Sequence, residues 1–254
     1  MKRCQVHWLG QIGYTEAWAL QKELAAQRAA DRIDDTLLLL EHPHTYTFGS
    51  RGRRAHEHLL VPRAELEAAG VAVLDVDRGG DVTYHGPGQL VGYPILRLAE
   101  HHLDAVSYMR ALEAVLIAVC AGYGLAAARV RHLTGVWVGD EKLAAIGTKV
   151  DVHGITQHGF ALNVTTDLGY FAKIVPCGIR NKGVGSIGAL VGRHVALDEV
   201  VERTVAAFGQ VFDVEMIAGD GRTREQKNKG TRYQGARVRG REENSKLGTL
   251  NFEL

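Results

Sequence analysis

The stretch RGGDVTYHGPGQLVGYPILRL, residues 78–98, falls into two unlike halves. In 78–89, four glycines (Gly79, Gly80, Gly86, Gly88) and Pro87 surround Thr83, Tyr84 and His85. Glycine permits positive φ and lets a ligand come close to the backbone, so this half reads as a binding loop rather than a plain connector. In 90–98 the residues turn apolar, and LVGYPILRL reads as a strand.

Toward the N-terminus, VAVLDVD (71–77) reads as a strand and PRAELEAAG (62–70) as a short helix stopped by Gly70. EHPHTYTFGSRGRRAHEHLL (41–60) reads as a loop, and DTLLLLEH (35–42) as a buried strand. YTEAWALQKELAAQRAAD (14–31) is a helix pattern, with Thr15 as cap and Trp18, Leu20, Leu24 and Ala25 as its apolar face. CQVHWLG (4–10) is a short strand. Toward the C-terminus, DAVSYMRALEAVLIAVCAGYGL (104–125) is the most apolar helix, with Cys120 as a packing residue. TGVWVGDEKLAAIGTKVD (134–151) reads as a hairpin turning near Gly139-Asp140, ITQHGFALNV (155–164) as a strand and ALDEVVERTVAAFGQVF (196–212) as the last helix. Strands and helices mix without regular βαβ alternation. The expected class is α+β, with helices packed on a mixed or largely antiparallel sheet. From Gly219 onward the chain is polar, basic and glycine-rich, so 219–254 is expected to be a flexible tail behind a catalytic domain of 1–218.

The 254 residues are enough for a sizeable core, and 46% hydrophobic with 23% charged is an ordinary globular balance. A net charge of +1 gives no support to nucleic-acid or membrane-surface binding. No stretch is long and apolar enough for a signal peptide or a bilayer span. Three cysteines without C-x-x-C spacing (Cys4, Cys120, Cys177) argue against a disulfide framework and for the reducing cytoplasm. The histidine groups EHPH, HEH and HH lack the three or four fixed ligands of a zinc site, so no metal is expected. GVGSIG (183–188) matches G-x-G-x-x-G but lies late in the chain, outside any βαβ unit, which argues against a dinucleotide site.

Cys177 stands in FAKIVPCGIRNKGVGSIG (171–188), between Pro176 and Gly178, where a turn can present a side chain. Five blocks, in order along residues 35–190, resemble the lipoyl(octanoyl) transferases of lipoate biosynthesis. They are EHPHTYTFG, DRGGDVTYHGPGQLVGYPILRL, GVWVGDEKLAAIGTKV, HGFALNVTTDL and IVPCG. The resemblance implies a domain of the biotin/lipoate protein-ligase type. It implies Cys177 and Lys142 as the catalytic pair, ahead of Lys149 and Lys173. It implies three stretches around the acyl group: Arg78, Gly79, Gly80, Asp81, Val82, Thr83, Tyr84 and His85; Ala145, Ile146 and Gly147; and Gly159, Phe160 and Ala161. After the cysteine the chain reads GVGSIGAL, where that family usually has Thr-Ser-Leu or similar.

The implied reaction moves octanoyl from octanoyl-acyl carrier protein to the lysine of lipoyl domains, those of 2-oxoacid dehydrogenase E2 subunits and the glycine cleavage H protein. No cofactor and no ATP are implied, since thioester to amide is downhill. The PCG block and the form of the glycine loop favour the transferase over the ATP-using lipoate and biotin ligases on the same fold, and Cys177 and Lys142 speak against a catalytically silent acyl-binding or scaffolding member. A free thiol is mostly protonated at neutral pH, and a nearby lysine both favours the thiolate and shuttles its proton. Candidates for the oxyanion donors are the backbone N–H groups of Cys177 or near Gly147 and Gly159, and the His85 imidazole.

Overall fold

Leu37, Leu38, Leu39 and Leu40 are all fully buried in the computed structural model, which describes residues 2–50, 56–175 and 182–219. They lie on the strand Asp35–Glu41 and alternate between two cores. Leu37 and Leu39 join Leu90, Phe160 and Leu162 on one face, while Leu38 and Leu40 join Val91, Tyr93, Ile95 and Ala161 on the other. A strand covered on both faces needs apolar side chains at every position, hence the unbroken run. Burying each leucine contributes about 1.5–3 kcal/mol.

The strands in chain order are β1 (Lys2–Gln11), β2 (Asp35–Glu41), β3 (Thr45–Phe48), β4 (Ala72–Asp75), β5 (Val82–His85) and β6 (Gln89–Ile95). They continue with β7 (Ala128–Val130), β8 (Leu133–Val138), β9 (Glu141–Val150), β10 (Thr156–Asn163), β11 (Gly183–Val184) and β12 (Val214–Ala218). The large sheet runs β12-β1-β2-β6-β10-β9-β8-β7, with β11 attached to β9, and the small one runs β4-β3-β5. β1 is parallel to both β2 and β12, and β11 to β9; the other pairs of the large sheet are antiparallel. The helices are α1 (Tyr14–Ala29), α2 (Arg63–Ala68), α3 (Ala105–Ala121), α4 (Ile187–Val191) and α5 (Leu197–Phe212). Helices α3 and α5 cover the first face of the large sheet and α1 the second. This is the α+β class, with a mixed sheet.

Several segments differ from their sequence reading. The loop over 41–60 contains β3, and the loop over 78–89 contains β5. Each is a four-residue strand whose partners lie tens of residues away, so no local periodicity marks it. Strands β7 and β12 are likewise short and were not expected. Ser186 caps α4 by accepting from Ala189 N, so a helix of five residues opens inside GVGSIG, at Ile187. Helix α1 is capped at Gly13 with no side-chain hydrogen bond, and Thr15 is exposed rather than a cap. Its Leu24 and Ala25 are buried, whereas Trp18 and Leu20 are only half-buried. The hairpin matches its reading: Val138 stands opposite Glu141, leaving Gly139-Asp140 as a two-residue turn with Gly139 at φ +56°. Cys120 is buried in the core of α3. Cys177 and the segment 220–254 lie outside the described residues. Among the described residues no helix is long and apolar enough to cross a membrane.

Candidate active site

On the α1 face of the sheet, Ala145 stands opposite Ala161 and Gly147 opposite Gly159. Four adjacent positions with almost no side chain leave a trough in the sheet surface. The segment Arg78–His85 lies over it, and the pocket between them has a volume of about 50 Å³. Gly79 N donates to Thr148 O at 2.9 Å, which pins the roof to β9. The Arg78 guanidinium is buried and ties the loop together: Nη2 donates to Thr47 O and to Asp81 O, each at 2.7 Å, and Nη1 to Gly79 O at 3.0 Å. A lysine could not make this set of bonds.

All of the residues assigned to the acyl group from sequence line this pocket, except Tyr84. Tyr84 faces the other way on β5. It stacks on Tyr170 with ring centroids 4.7 Å apart, and its hydroxyl meets His44 Nδ1 at 2.6 Å. It belongs to the core of the small sheet with Tyr46 and Phe48. The walls also include Tyr14, Tyr93 and His158, which sequence reasoning did not assign. Tyr93 and His158 sit inside quoted blocks, so block membership was a usable signal; nothing local marks Tyr14.

The polar groups of the walls are paired. His42, just behind Tyr93, approaches Ile12 O through Nδ1 at 2.7 Å and the Tyr93 hydroxyl through Nε2 at 2.8 Å. A carbonyl only accepts, so Nδ1 carries the proton and Tyr93 donates to Nε2. Burial lowers the His42 pKa to about 4 despite the Ile12 carbonyl, so the ring is neutral. His158 Nε2 meets Asp77 Oδ1 at 2.8 Å, and its Nδ1 lies 3.4 Å from the Tyr14 hydroxyl. Burial lowers its pKa against the pull of Asp77. Asp77 also holds Lys149 at 2.6 Å. Burial pushes the Asp77 carboxyl up, but the hydrogen bonds and charges of Lys149 and His158 outweigh it and hold the group at about 2. His158 has φ +55°, an uncommon place for a side chain with a Cβ.

His85 Nδ1 lies 2.8 Å from Gln89 Oε1, and its Nε2 lies 3.4 Å from Thr47 Oγ1. Thr47 Oγ1 accepts from Arg78, so its own proton points to His85 Nε2. Burial holds His85 neutral. Its one ring proton is committed to Gln89, which leaves it no N–H for an oxyanion.

Lys142 lies on β9, three residues before Ala145, and is not on the pocket wall. Its amine stands over the Trp137 ring, 5.2 Å from the centroid. Its chain runs across Gly135, where an added Cβ would come within 2.5 Å of Lys142 Cε. Gly135 has φ +125° and donates its N–H to Glu113, a fully buried carboxylate that also binds Arg110 and Arg129. The two rivals are engaged elsewhere: Lys149 with Asp77, and Lys173 over the Tyr170 ring.

Cys177 itself lies outside the described residues, but both flanks are anchored. On one side Val175 N donates to His58 O at 2.8 Å. On the other, Gly183 and Val184 pair with Glu141 and Lys142. The two described cysteines are buried. Burial pushes the Cys120 thiol up to about 12. Burial, with Asp35 and Asp34 nearby, raises Cys4 well above its usual value.

The family model for the lipoyl protein ligase A/B catalytic domain matches residues 13–209. Octanoyltransferase of Chloroflexus aurantiacus is 53% identical over 217 residues, covering 85% of this chain and 96% of that one. The chain belongs to this family. It is an acyltransferase of the octanoyltransferase group. Octanoyltransferases of Solibacter usitatus (51% over 219 residues, 86% and 97% of the two chains) and Mycolicibacterium gilvum (48% over 221 residues, 85% and 88%) agree. Among solved structures, the bi-partite lipoate protein ligase of Thermoplasma acidophilum superposes with TM-score 0.67 at 18% identity, covering 86% and 87%. Biotin protein ligase of Aquifex aeolicus gives 0.51 at 12%, covering 82% and 70%. Those two likenesses establish the biotin/lipoate protein-ligase fold.

Proposed function

We propose that the chain takes octanoyl from octanoyl-acyl carrier protein, holds it as a thioester on Cys177, and passes it to the lysine amine of lipoyl domains. The acceptors are those of 2-oxoacid dehydrogenase E2 subunits and the glycine cleavage H protein. The observation that carries this reading is the trough of small residues over Ala145 and Gly147, on the same strand as Lys142, and over Gly159 and Ala161 on the neighbouring strand. A floor of small side chains suits a linear acyl chain, which needs no charged partner. Val184, seven residues after Cys177, pairs with Lys142, and Cys4 and Cys120 are held as inert thiols.

In the first step the Cys177 thiolate attacks the donor carbonyl. The carbon–sulfur bond to Cys177 forms, the one to the phosphopantetheine sulfur breaks, and Lys142 delivers the thiol proton to the leaving sulfur. In the second step the acceptor amine attacks the Cys177 thioester. Lys142 accepts the amine proton and the thiolate leaves. Lys142 ends as it began, and thioester to amide runs downhill without ATP. Catalysis by a free thiol suits the reducing cytoplasm. We also read 1–218 as the catalytic domain and 219–254 as a tail outside it.

The test is transfer from octanoyl-acyl carrier protein to a lipoyl domain without nucleotide, for wild type, Cys177→Ser and Lys142→Ala. Wild-type activity without ATP and its loss in both variants are expected. An ATP requirement, or full activity in either variant, contradicts the reading.

A further inference from the structure

Two buried amides lead from the acyl pocket to the strand of Lys142. Gln89 and Asn163 are 2% and 4% exposed, and neither lines the pocket. Backbone carbonyls, which only accept, fix the orientation of both. Gln89 Nε2 donates to Tyr84 O at 3.2 Å and to Asn163 Oδ1 at 2.9 Å, and Asn163 Nδ2 donates to Gly185 O at 3.0 Å. Gln89 Oε1 is thereby turned to His85 Nδ1. At the other end Gly185 N donates to Lys142 O at 3.1 Å. Strand β11 is two residues long, so it has little ladder of its own to hold it on β9.

Burying two side-chain amides is unfavourable unless every donor and acceptor is met. Two apolar side chains of similar volume would fill the same space without that demand. What they could not supply is a donor aimed at the Gly185 carbonyl.

We propose that Asn163 is a positioning residue for Lys142: clamped by Gln89, it holds Gly185, and through Gly185 the backbone of Lys142. The proposal rests on the reading of Lys142 as the acid/base. It places the control of Lys142 two residues beyond the pocket wall, through Gln89 to an amide outside the pocket. Displacing the lysine slows both proton transfers and leaves donor binding in the trough intact.

The experiment compares wild type, Asn163→Ala, Asn163→Asp and Lys142→Ala. Its readouts are kcat and KM for octanoyl-acyl carrier protein across pH, and hydrogen exchange in the peptide containing Gly185. Asn163→Asp keeps the shape and loses the donor, so it serves if the alanine variant does not fold. Both Asn163 variants should lose about ten- to a hundredfold in kcat, as expected for a group misplaced by an ångström. KM should stay within about twofold, since the trough is unaltered. The pH profile of kcat should shift, and exchange at Gly185 should quicken. A purely structural role would lower the melting temperature and leave kcat and its pH profile per folded molecule unchanged, and that result overturns the proposal. Wild-type transfer by Lys142→Ala would instead remove the acid/base reading, and the proposal with it. Loss in Lys142→Ala with normal Asn163 variants refutes the proposal alone.

Discussion

Gly147→Ala should shorten the acyl chain the enzyme prefers. A Cβ at Gly147 would stand 3.0 Å from Gly79 O and 3.2 Å from Arg78 Cδ, closer than such atoms normally come. The roof cannot easily lift, because Gly79 N is bonded to Thr148 O at 2.9 Å and Arg78 is tied to Thr47 and Asp81. The added methyl must therefore take its space from the trough. At about 3.3 Å per residue, Gly147 lies about 7 Å beyond Ala145, on the side away from Lys142. The loss falls on the distal end of the chain. Each methylene denied burial costs about 0.8 kcal/mol, or about fourfold in kcat/KM. The assay is kcat/KM with hexanoyl- and octanoyl-acyl carrier protein. The octanoyl/hexanoyl ratio should fall by about fourfold for one methylene and about sixteenfold for two. An unchanged ratio, with both substrates slowed equally, would refute the placement of the chain in this trough.

Gly135→Ala should destabilise the fold by about 1–3 kcal/mol, because φ +125° suits glycine alone. It should also cut kcat, since the new Cβ meets Lys142 Cε and Ala144 O; denaturant melts and kcat together check it, and normal kcat in the folded variant counts against the placement of Lys142. Asp77→Asn should remove part of the acid limb of stability. The folded Asp77 pKa of about 2 lies below its ordinary 3.8, so its contribution is full above that ordinary value and is lost as pH falls toward 2. Asp77 is more than a third exposed, so solvent screening holds this to the order of 1 kcal/mol; identical acid melts of wild type and variant would contradict it. Native labelling with iodoacetamide at about pH 8 should modify Cys177 alone, with Cys4 and Cys120 reacting only after unfolding. A native adduct on either of those two, read by peptide mass, would show the thiol to be less buried than described.

The large sheet was readable where burial left a pattern. The leucines of β2, the apolar helix α3 and the Gly139-Asp140 turn each carry a local signal. The pocket walls were readable too, because trough and roof are built from contiguous blocks. Tyr84 shows the limit of block reading: strand alternation puts its side chain in another core while its neighbours Thr83 and His85 meet the pocket. Of the small sheet only β4 was legible, within the strand reading of 71–77; β3 and β5 were not, since Thr45–Phe48 is defined by partners brought from 72–75 and 82–85. Nor was Glu113, a charge buried inside an apolar helix, whose partners Arg129 and Gly135 come from the following strands. The hydrogen bonds of His85 were not legible for the same reason: its one ring proton faces Gln89 and its other nitrogen faces Thr47, contacts that no spacing rule reveals.

The decisive measurement is intact mass of the wild-type chain after mixing with octanoyl-acyl carrier protein in the absence of nucleotide, followed by peptide mapping and addition of a lipoyl domain. One octanoyl group on the Cys177 peptide, lost to the lipoyl domain as it becomes acylated, is the expected result. Acylation of the lipoyl domain with no octanoyl ever found on Cys177, under conditions that trap thioesters, would contradict the covalent route.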